Sequence, residues 1–361
     1  MELRDLRQKQ LSDAWWERGK YGIICAAPRT GKTFVGINVL EKFPSDCRVL
    51  ITYPDVKIKQ SWLGDFKKRG YENSNVTFTT FVSLHKHLEE EFDLIIVDEI
   101  HLLSEKQIEN LRTLHQRLHK PLLGLTGTLS SWTQRVLREE LGLIVVAFYP
   151  MEQAIEEGIL PDYEINIVSV ELDNKTKLNW GKRWSTEKAR WNSFKYLMEK
   201  EDKEGREPNF HVRLKLIEIL QRSIAKKRKT IELIEQFKDE RLLVFCGRTE
   251  IADSLGIPSY HSKSSEKKVF EDFVNGSINH LAVIKIGNTG VTYTPLNKVI
   301  VNYFDSNAEN LTQRINRAMS LEYDNPEKKA VIYIVCSTEK KERDWLKKAL
   351  SMFSDKKIKY L

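Results

Sequence analysis

Four short apolar runs, residues 22–27 (Gly-Ile-Ile-Cys-Ala-Ala), 48–53 (Arg-Val-Leu-Ile-Thr-Tyr), 93–98 (Asp-Leu-Ile-Ile-Val-Asp) and 122–126 (Leu-Leu-Gly-Leu-Thr), are separated by polar stretches of helical character. A continuous apolar run has no face for water. As a strand it must be buried on both sides, the condition of a parallel sheet covered by helices. The same signature returns at 241–246, 280–286, 298–303 and 330–336. The pattern predicts an α/β protein with two parallel-sheet lobes, residues 1–160 and 235–361, and a length of 361 residues suits two domains.

Between the lobes the texture changes. Residues 173–240 hold only Gly181, Gly205 and Pro208 as breakers and are dense in Lys, Glu, Leu and Ile. The region 161–234 therefore reads as a linker and basic helical insertion, interrupted at 203–209. Trp180, Trp184, Trp191, Phe194 and Met198 fall on one face of a helix, among Lys182, Arg183, Lys188, Arg190 and Lys195. This stripe is expected to pack on a lobe, with base stacking in a cationic funnel as the competing reading. The run Ala225-Lys226-Lys227-Arg228-Lys229 is expected to be a solvated helix face.

Ala26-Ala27-Pro28-Arg29-Thr30-Gly31-Lys32-Thr33 follows an apolar strand and opens the amphipathic segment 34–43. In such a loop, backbone N–H groups and a helix N-terminus cradle phosphates, the lysine reaches the β and γ oxygens, and the threonine holds Mg²⁺. Pro28, Arg29, Thr30, Gly31, Lys32 and Thr33 are the expected nucleotide-binding set. Ala26 stands where the strict pattern has a glycine. Asp98 and Glu99 end the third apolar run, where ligands bind an open α/β sheet. Adjacent acids there divide the work, Asp98 holding Mg²⁺ through water and Glu99 orienting or deprotonating the attacking water. ATP hydrolysis follows as the expected reaction.

Asp98-Glu99-Ile100-His101 also reads as a DExH box, and the order of motifs resembles superfamily 2 helicases and translocases, in which an alanine at the position of Ala26 is common. Leu6-Arg7-Gln8-Lys9-Gln10 resembles the upstream adenine-recognition element, with Gln10 as its reader. Residues 50–54, continuing to Gln60-Ser61-Trp62, are similar to motif Ia, Thr79 and Thr80 to motif Ib, and Thr126-Gly127-Thr128 to motif III. In the second lobe, residues 243–248 are similar to motif IV, 287–292 to motif V and Gln313-Arg314-Ile315-Asn316-Arg317 to motif VI. The resemblance implies two RecA-like lobes, ATP and Mg²⁺ as cofactors, and Gln313, Arg317 and Arg314 as further catalytic residues. It implies a single strand gripped mainly by its phosphates, for which Thr52, Thr80, Arg248 and Thr289 are the expected contacts. Motif VI departs from the family, with Asn316 where glycine is common and Ser320 where the final arginine stands. Residues 154–161 and the Asn-Thr-Gly-Val-Thr of motif V resemble compact phage-encoded DEAD/DEAH-type helicases.

Lys plus Arg number 58 against 51 Asp plus Glu, a net charge of +7 that suits a polyanion. DNA is favoured over RNA, and a monomer over an oligomer. Cys25, Cys47, Cys246 and Cys336 are scattered with no metal-ligand spacing, so a reduced cytoplasm is expected, that of a bacterial host if the chain is phage-encoded. No apolar run approaches a membrane span. The expected function is ATP-dependent translocation on DNA with unwinding or remodelling. An ATP-gated clamp or annealing protein, and an RNA helicase, remain open alternatives.

Overall fold

The computed structural model describes residues 2–72, 74–181, 183–205, 209–264, 268–284, 296, 298–305, 308–316, 318, 328–351 and 353–361, without the side chains of 308–310 and 313. The chain divides into two compact units, one holding residues 1–160 and the other beginning at Pro161.

The first unit carries β1 (Tyr21–Ala26), β2 (Val49–Tyr53), β3 (Val76–Thr80), β4 (Leu94–Asp98), β5 (Leu122–Thr126) and β6 (Val145–Tyr149). All pairings are parallel, in the order β3-β2-β4-β5-β1-β6. Its helices are α1 (Leu3–Glu17), α2 (Lys32–Leu40), α3 (Val56–Arg69), α4 (Glu105–Leu118), α5 (Ser131–Leu141) and α6 (Met151–Glu156), with 3-10 turns at Phe81–His87 and Ile100–Leu102. The inner strands β2, β4 and β5 are buried at every residue, as their continuous apolar runs require. The outer strands β3 and β6 escape that signature because most of their residues are only partly covered. Local signals set helix starts: the Asp55 carboxylate accepts the Lys57 N–H at α3, and Ser104 with Gln107 forms a reciprocal capping box at α4.

The second unit carries β7 (Asp162–Val170), the hairpin strands β8 (Leu178–Asn179) and β9 (Trp184–Ser185), then α7 (Glu187–Lys203), α8 (Phe210–Gln221) and α9 (Ile224–Gln236). There follow β10 (Leu242–Phe245), α10 (Thr249–Ala252), β11 (Ser259–Tyr260), α11 (Lys268–Val274), β12 (His280–Val283), β13 (Lys298–Val301), α12 (Ala308–Ile315), β14 (Lys329–Ser337), α13 (Lys340–Leu350) and β15 (Ile358–Tyr360). Its sheet runs β11-β12-β10-β13-β14-β7-β15, again parallel at every described pairing.

Three expectations need correcting. The stretch read as linker and insertion begins with a sheet strand: β7 pairs with β14 from Asp162↔Lys329 to Val170↔Ser337, and with β15 on its other side. Glu164, Asn166 and Ser169 interrupt its apolar run, and Glu164 is accommodated by ion pairs to Lys329 (2.9 Å) and Lys359 (2.7 Å) on the neighbouring strands.

The tryptophan stripe is not one helical face. Only Trp191, Phe194 and Met198 lie on α7, while Trp180 reaches the same cluster from the hairpin, joining Leu172, Leu216, Ile219, Leu220 and Tyr303. Trp184, on β9, is exposed. The Gly181 turn breaks the helix that periodicity alone suggested, its N–H bonding the Asn179 side chain at 2.9 Å.

The basic run on α9 is only partly solvated. Lys226 is fully buried, 2.5 Å from the equally buried Glu342 carboxylate, and its ammonium lies 5.3 Å from the Phe304 ring centroid. Arg228 pairs with Asp173 at 2.5 Å. Nearby, buried Glu187 accepts hydrogen bonds from the Asp173 N–H (3.0 Å), the Ser223 hydroxyl (3.1 Å) and the Ile224 N–H, which closes the N-terminus of α9.

Candidate active site

In the order β4-β5-β1 the loops leaving three adjacent strands emerge side by side at the carboxyl edge of the first sheet. Register sets Asp98 opposite Leu125 and Cys25 opposite Thr126, so the loops start nearly level. That edge is where an open parallel sheet binds ligands.

The loop after β1 is shaped by its own backbone. The Ala27 N–H donates to the Tyr149 carbonyl at 2.9 Å, and the Thr30 hydroxyl donates to the Ala27 carbonyl at 2.6 Å. Arg29 and Gly31 adopt left-handed conformations, φ 69° and 91°. Alternating backbone handedness turns successive N–H groups toward one concavity, and the start of α2 adds its own N–H groups there. Glycine suits the left-handed conformation at position 31, and a Cβ there, 2.3 Å from the Gln8 amide nitrogen, would also push that side chain off the loop. Gln8 is buried and donates to the Thr30 carbonyl at 2.9 Å, fixing α1 to the loop.

Lys32, the first residue of α2, sets its ammonium 3.5 Å from Glu99 Oε1. Glu99 is itself left-handed, φ 56°, an unfavourable conformation for a non-glycine residue of the kind found at functional turns. Its other oxygen lies 3.5 Å from His101 Nδ1. The Thr126 hydroxyl donates its single proton to the Thr128 carbonyl at 2.5 Å, so its 2.8 Å contact with His101 Nδ1 has the imidazole N–H as donor. The DExH segment and the loop after β5 are thereby joined by one hydrogen-bond chain. Gly127 adds an N–H to the Glu99 carboxylate.

Asp98 is buried, and its Oδ2 accepts the indole N–H of Trp62 at 2.9 Å. Burial first, then the charge of Glu99, pushes the Asp98 carboxyl up, and Lys32 and Trp62 offset only part of that. Burial also works to raise Glu99, yet Lys32, His101 and the Gly127 N–H outweigh it and hold that carboxyl below the ordinary range. Two carboxylates against one lysine leave the pocket short of positive charge, which fits a divalent cation. Among the described residues no group of three or more His, Cys, Asp and Glu is arranged to hold a metal. Mg²⁺ commonly takes one or two protein ligands and completes its shell with water and phosphate, and Asp98 with Thr33 suits that habit.

Other expected residues fare differently. Gln10 is exposed on α1, its carbonyl accepting from Arg7 at 2.7 Å. Thr52 is wholly buried at the end of β2 and its hydroxyl has no hydrogen-bond partner, so in this conformation it is not offered to a strand. Thr80 is half-buried where β3 ends, and Arg248 is half-buried with its Nε on Gln221 at 3.1 Å. Arg314 donates to the Tyr303 carbonyl and lies over the Phe245 ring at 5.6 Å. Gln313 lies in α12 with its side chain outside the described set, and Thr289, Arg317 and Ser320 lie outside the described residues.

Sequence reasoning missed Gln8 and the role of Trp62. Both carry a signal: Gln8, Leu11, Ser12 and Trp15 share the buried face of α1, and Trp62 with Phe66 forms the buried face of α3.

Comparison with known proteins gives two family matches and several similar chains. Residues 1–131 match the family model described as type III restriction enzyme, res subunit, and residues 225–322 match the helicase conserved C-terminal domain. The DNA 3'-5' translocase XPB2 of Sulfurisphaera tokodaii is 23% identical, over 88% of this chain and 79% of its own length. The Pyrococcus furiosus Hef helicase domain shares the fold with TM-score 0.56 at 12% identity, covering 96% of this chain and 99% of that one. S. cerevisiae Dbp5 bound to RNA and ADP BeF3 does so with TM-score 0.60 at 12% identity, covering 98% and 88%. The first family match holds the phosphate loop and the DExH carboxylate pair, the second falls in the second RecA-like parallel-sheet unit, and together they make this chain a member of the superfamily 2 helicases and translocases.

Proposed function

We propose that the chain is a nucleic-acid-stimulated ATPase that translocates on DNA and unwinds or remodels it. The observation that supports this most is the 3.5 Å pair between Lys32 and Glu99 beside the buried Asp98, a lysine and two acids converging where a phosphate loop opens. In this reading Pro28 to Gly31 wrap the phosphates, Lys32 contacts the β and γ oxygens, and Thr33 and Asp98 hold Mg²⁺. Bound Mg²⁺ supplies neutralising charge to the phosphate oxygens. Glu99, kept ionised by Lys32 and His101, orients and deprotonates water. Gln10 is the adenine contact, its amide oxygen already accepting from Arg7. Arg317 is the main γ-phosphate contact in motif VI, with Gln313 beside it, and Arg314 supports it only on leaving the Tyr303 carbonyl. Thr80, Arg248 and Thr289 are the strand contacts, and Thr52 joins them only if its strand end rearranges.

DNA is the preferred substrate by likeness to the XPB2 translocase, and four free cysteines suit a reducing cytoplasm. Among the described residues no helix is long and apolar enough to cross a membrane. One panel tests the reading: ATP turnover and strand displacement on single strands, duplexes, forks and four-way junctions of DNA and RNA. Turnover that rises with DNA and drives displacement is the expected outcome. Turnover indifferent to every nucleic acid would remove the assignment, and binding and release without displacement would leave an ATP-gated clamp.

A further inference from the structure

The three tryptophans that sequence grouped together are divided by the structure, and the division isolates one of them. Trp180 is 8% exposed, with its indole N–H on the Ser185 carbonyl at 3.0 Å. The guanidinium groups of Arg190 and Arg222 lie near its ring, each 4.9 Å from the centroid. Arg222 also donates to the Asn179 carbonyl at 3.3 Å. These contacts hold the β8–β9 hairpin onto the α7–α8 pair. Trp184 sits on the same hairpin and is 67% exposed. A large aromatic left in water on a fixed support is a poor packing element and a good platform for another ring.

We propose that Trp184 is a nucleobase-stacking contact for single-stranded nucleic acid, with the exposed cationic side chains of the same segment, Arg183, Lys175 and Lys177, attracting the phosphates. This rests on the nucleic-acid reading above and adds a contact outside every helicase motif. The charges around the hairpin favour this occupant. Arg183 is exposed next to Trp184, and Lys175 and Lys177 are exposed on the approach to β8. Burial first, and then the nearby Arg222 and Arg183, disfavours the charge of Arg190, with Glu218 the opposing acid. That acid is shared between Lys215 (2.8 Å) and Arg222 (3.5 Å), so it does not neutralise the cluster. An exposed π face takes any base, because every base has a flat face, so the contact is indifferent to sequence.

The test compares the full chain with Trp184→Ala, Trp184→Phe and Arg183→Ala, by fluorescence anisotropy on an end-labelled oligothymidylate and on the same length of abasic strand. Melting temperature is measured alongside, and an exposed side chain should leave it unchanged. Trp184→Ala is expected to weaken binding of the base-bearing strand by about fivefold to a hundredfold, with Trp184→Phe retaining most of the affinity. The abasic strand should bind the parent and both Trp184 variants alike. Arg183→Ala should weaken both strands and lower the salt dependence by about one counterion. Unchanged affinity in Trp184→Ala, or an equal loss on both strands, overturns the contact and leaves the motor reading standing. A parent protein that binds neither strand overturns both.

Discussion

In the first unit the charges withdrawn from water, Asp98, Glu99 and Lys32, gather at loops leaving adjacent strands, and they are left imbalanced, with two acids facing one base. In the second unit Lys226 and Glu342 form a closed pair at 2.5 Å, and Glu187 spends its carboxylate on three donors at one helix start. Burying a charge is costly in either place. Where every partner is supplied by the fold, the result is architecture. Where a partner is missing, the site is ready for a ligand from outside.

The difference predicts opposite consequences for similar substitutions. The largest effect is expected at Glu99→Gln, which should reduce ATP turnover by about a hundredfold to ten-thousandfold, the usual range for a lost general base. Its melting temperature should not fall, because the change removes one of two crowded acids. Lys32→Ala should likewise abolish turnover while leaving nucleic-acid binding intact. A steady-state assay with a parallel melt decides, and near-normal turnover in either variant would erase the contrast.

Lys226→Met should do the reverse. It leaves Glu342 buried without its partner, at a cost of about 3–5 kcal/mol in stability. Chemical denaturation measures that directly, and turnover per folded molecule should be preserved. A Lys226→Met protein as stable as its parent would mean that water reaches this pair.

Trp62→Phe sharpens the boundary between the two kinds of site, because it removes a structural donor from a chemical group. The loss of its N–H from buried Asp98 should cost about 1–3 kcal/mol. It also has a sign in pH. Burial already raises the Asp98 carboxyl, and the indole N–H favours its charged form. Without that donor Asp98 protonates at higher pH, so the acid limb of the turnover profile should move upward. A limb that stays in place would separate Asp98 from the rate.

The smallest effect is expected at Glu157→Gln. The hydrogen bond from Arg7 holds the Glu157 carboxyl down at about 2, with smaller help from Gln153 and Tyr149. A lowered carboxyl contributes stability that is present above its unfolded value and lost as pH falls toward the folded one. The parent should therefore lose a small increment between about pH 4.5 and 2 that Glu157→Gln lacks. For an ion pair at the edge of the solvent that increment is small, because water and salt screen it. Coincident acid-unfolding curves would show that the pair contributes nothing.

The inner strands and the phosphate loop were legible because each is encoded within a few residues. Leu94 to Val97 leave no polar side for water, and Gly31-Lys32-Thr33 carries its chemistry in its spacing. Motif order exposed Glu99 as well. Strands with mixed composition were harder: β7 is defined by β14 and β15, which lie more than 150 residues further along the chain.

Sequence by itself determined the two parallel sheets, the Gly31-Lys32-Thr33 turn between β1 and α2 and the acid pair that ends β4, since local spacing fixes which backbone and side-chain groups meet there. Tertiary structure decided that Gln8 braces the loop, that Trp62 reaches Asp98, that Trp180 is buried while Trp184 is exposed, and that Lys226 is hidden with Glu342. The physical reason is that burial belongs to pairs of surfaces. A tryptophan or a lysine reads the same in any helix or hairpin until the element that covers it, or fails to, is brought in from elsewhere in the chain.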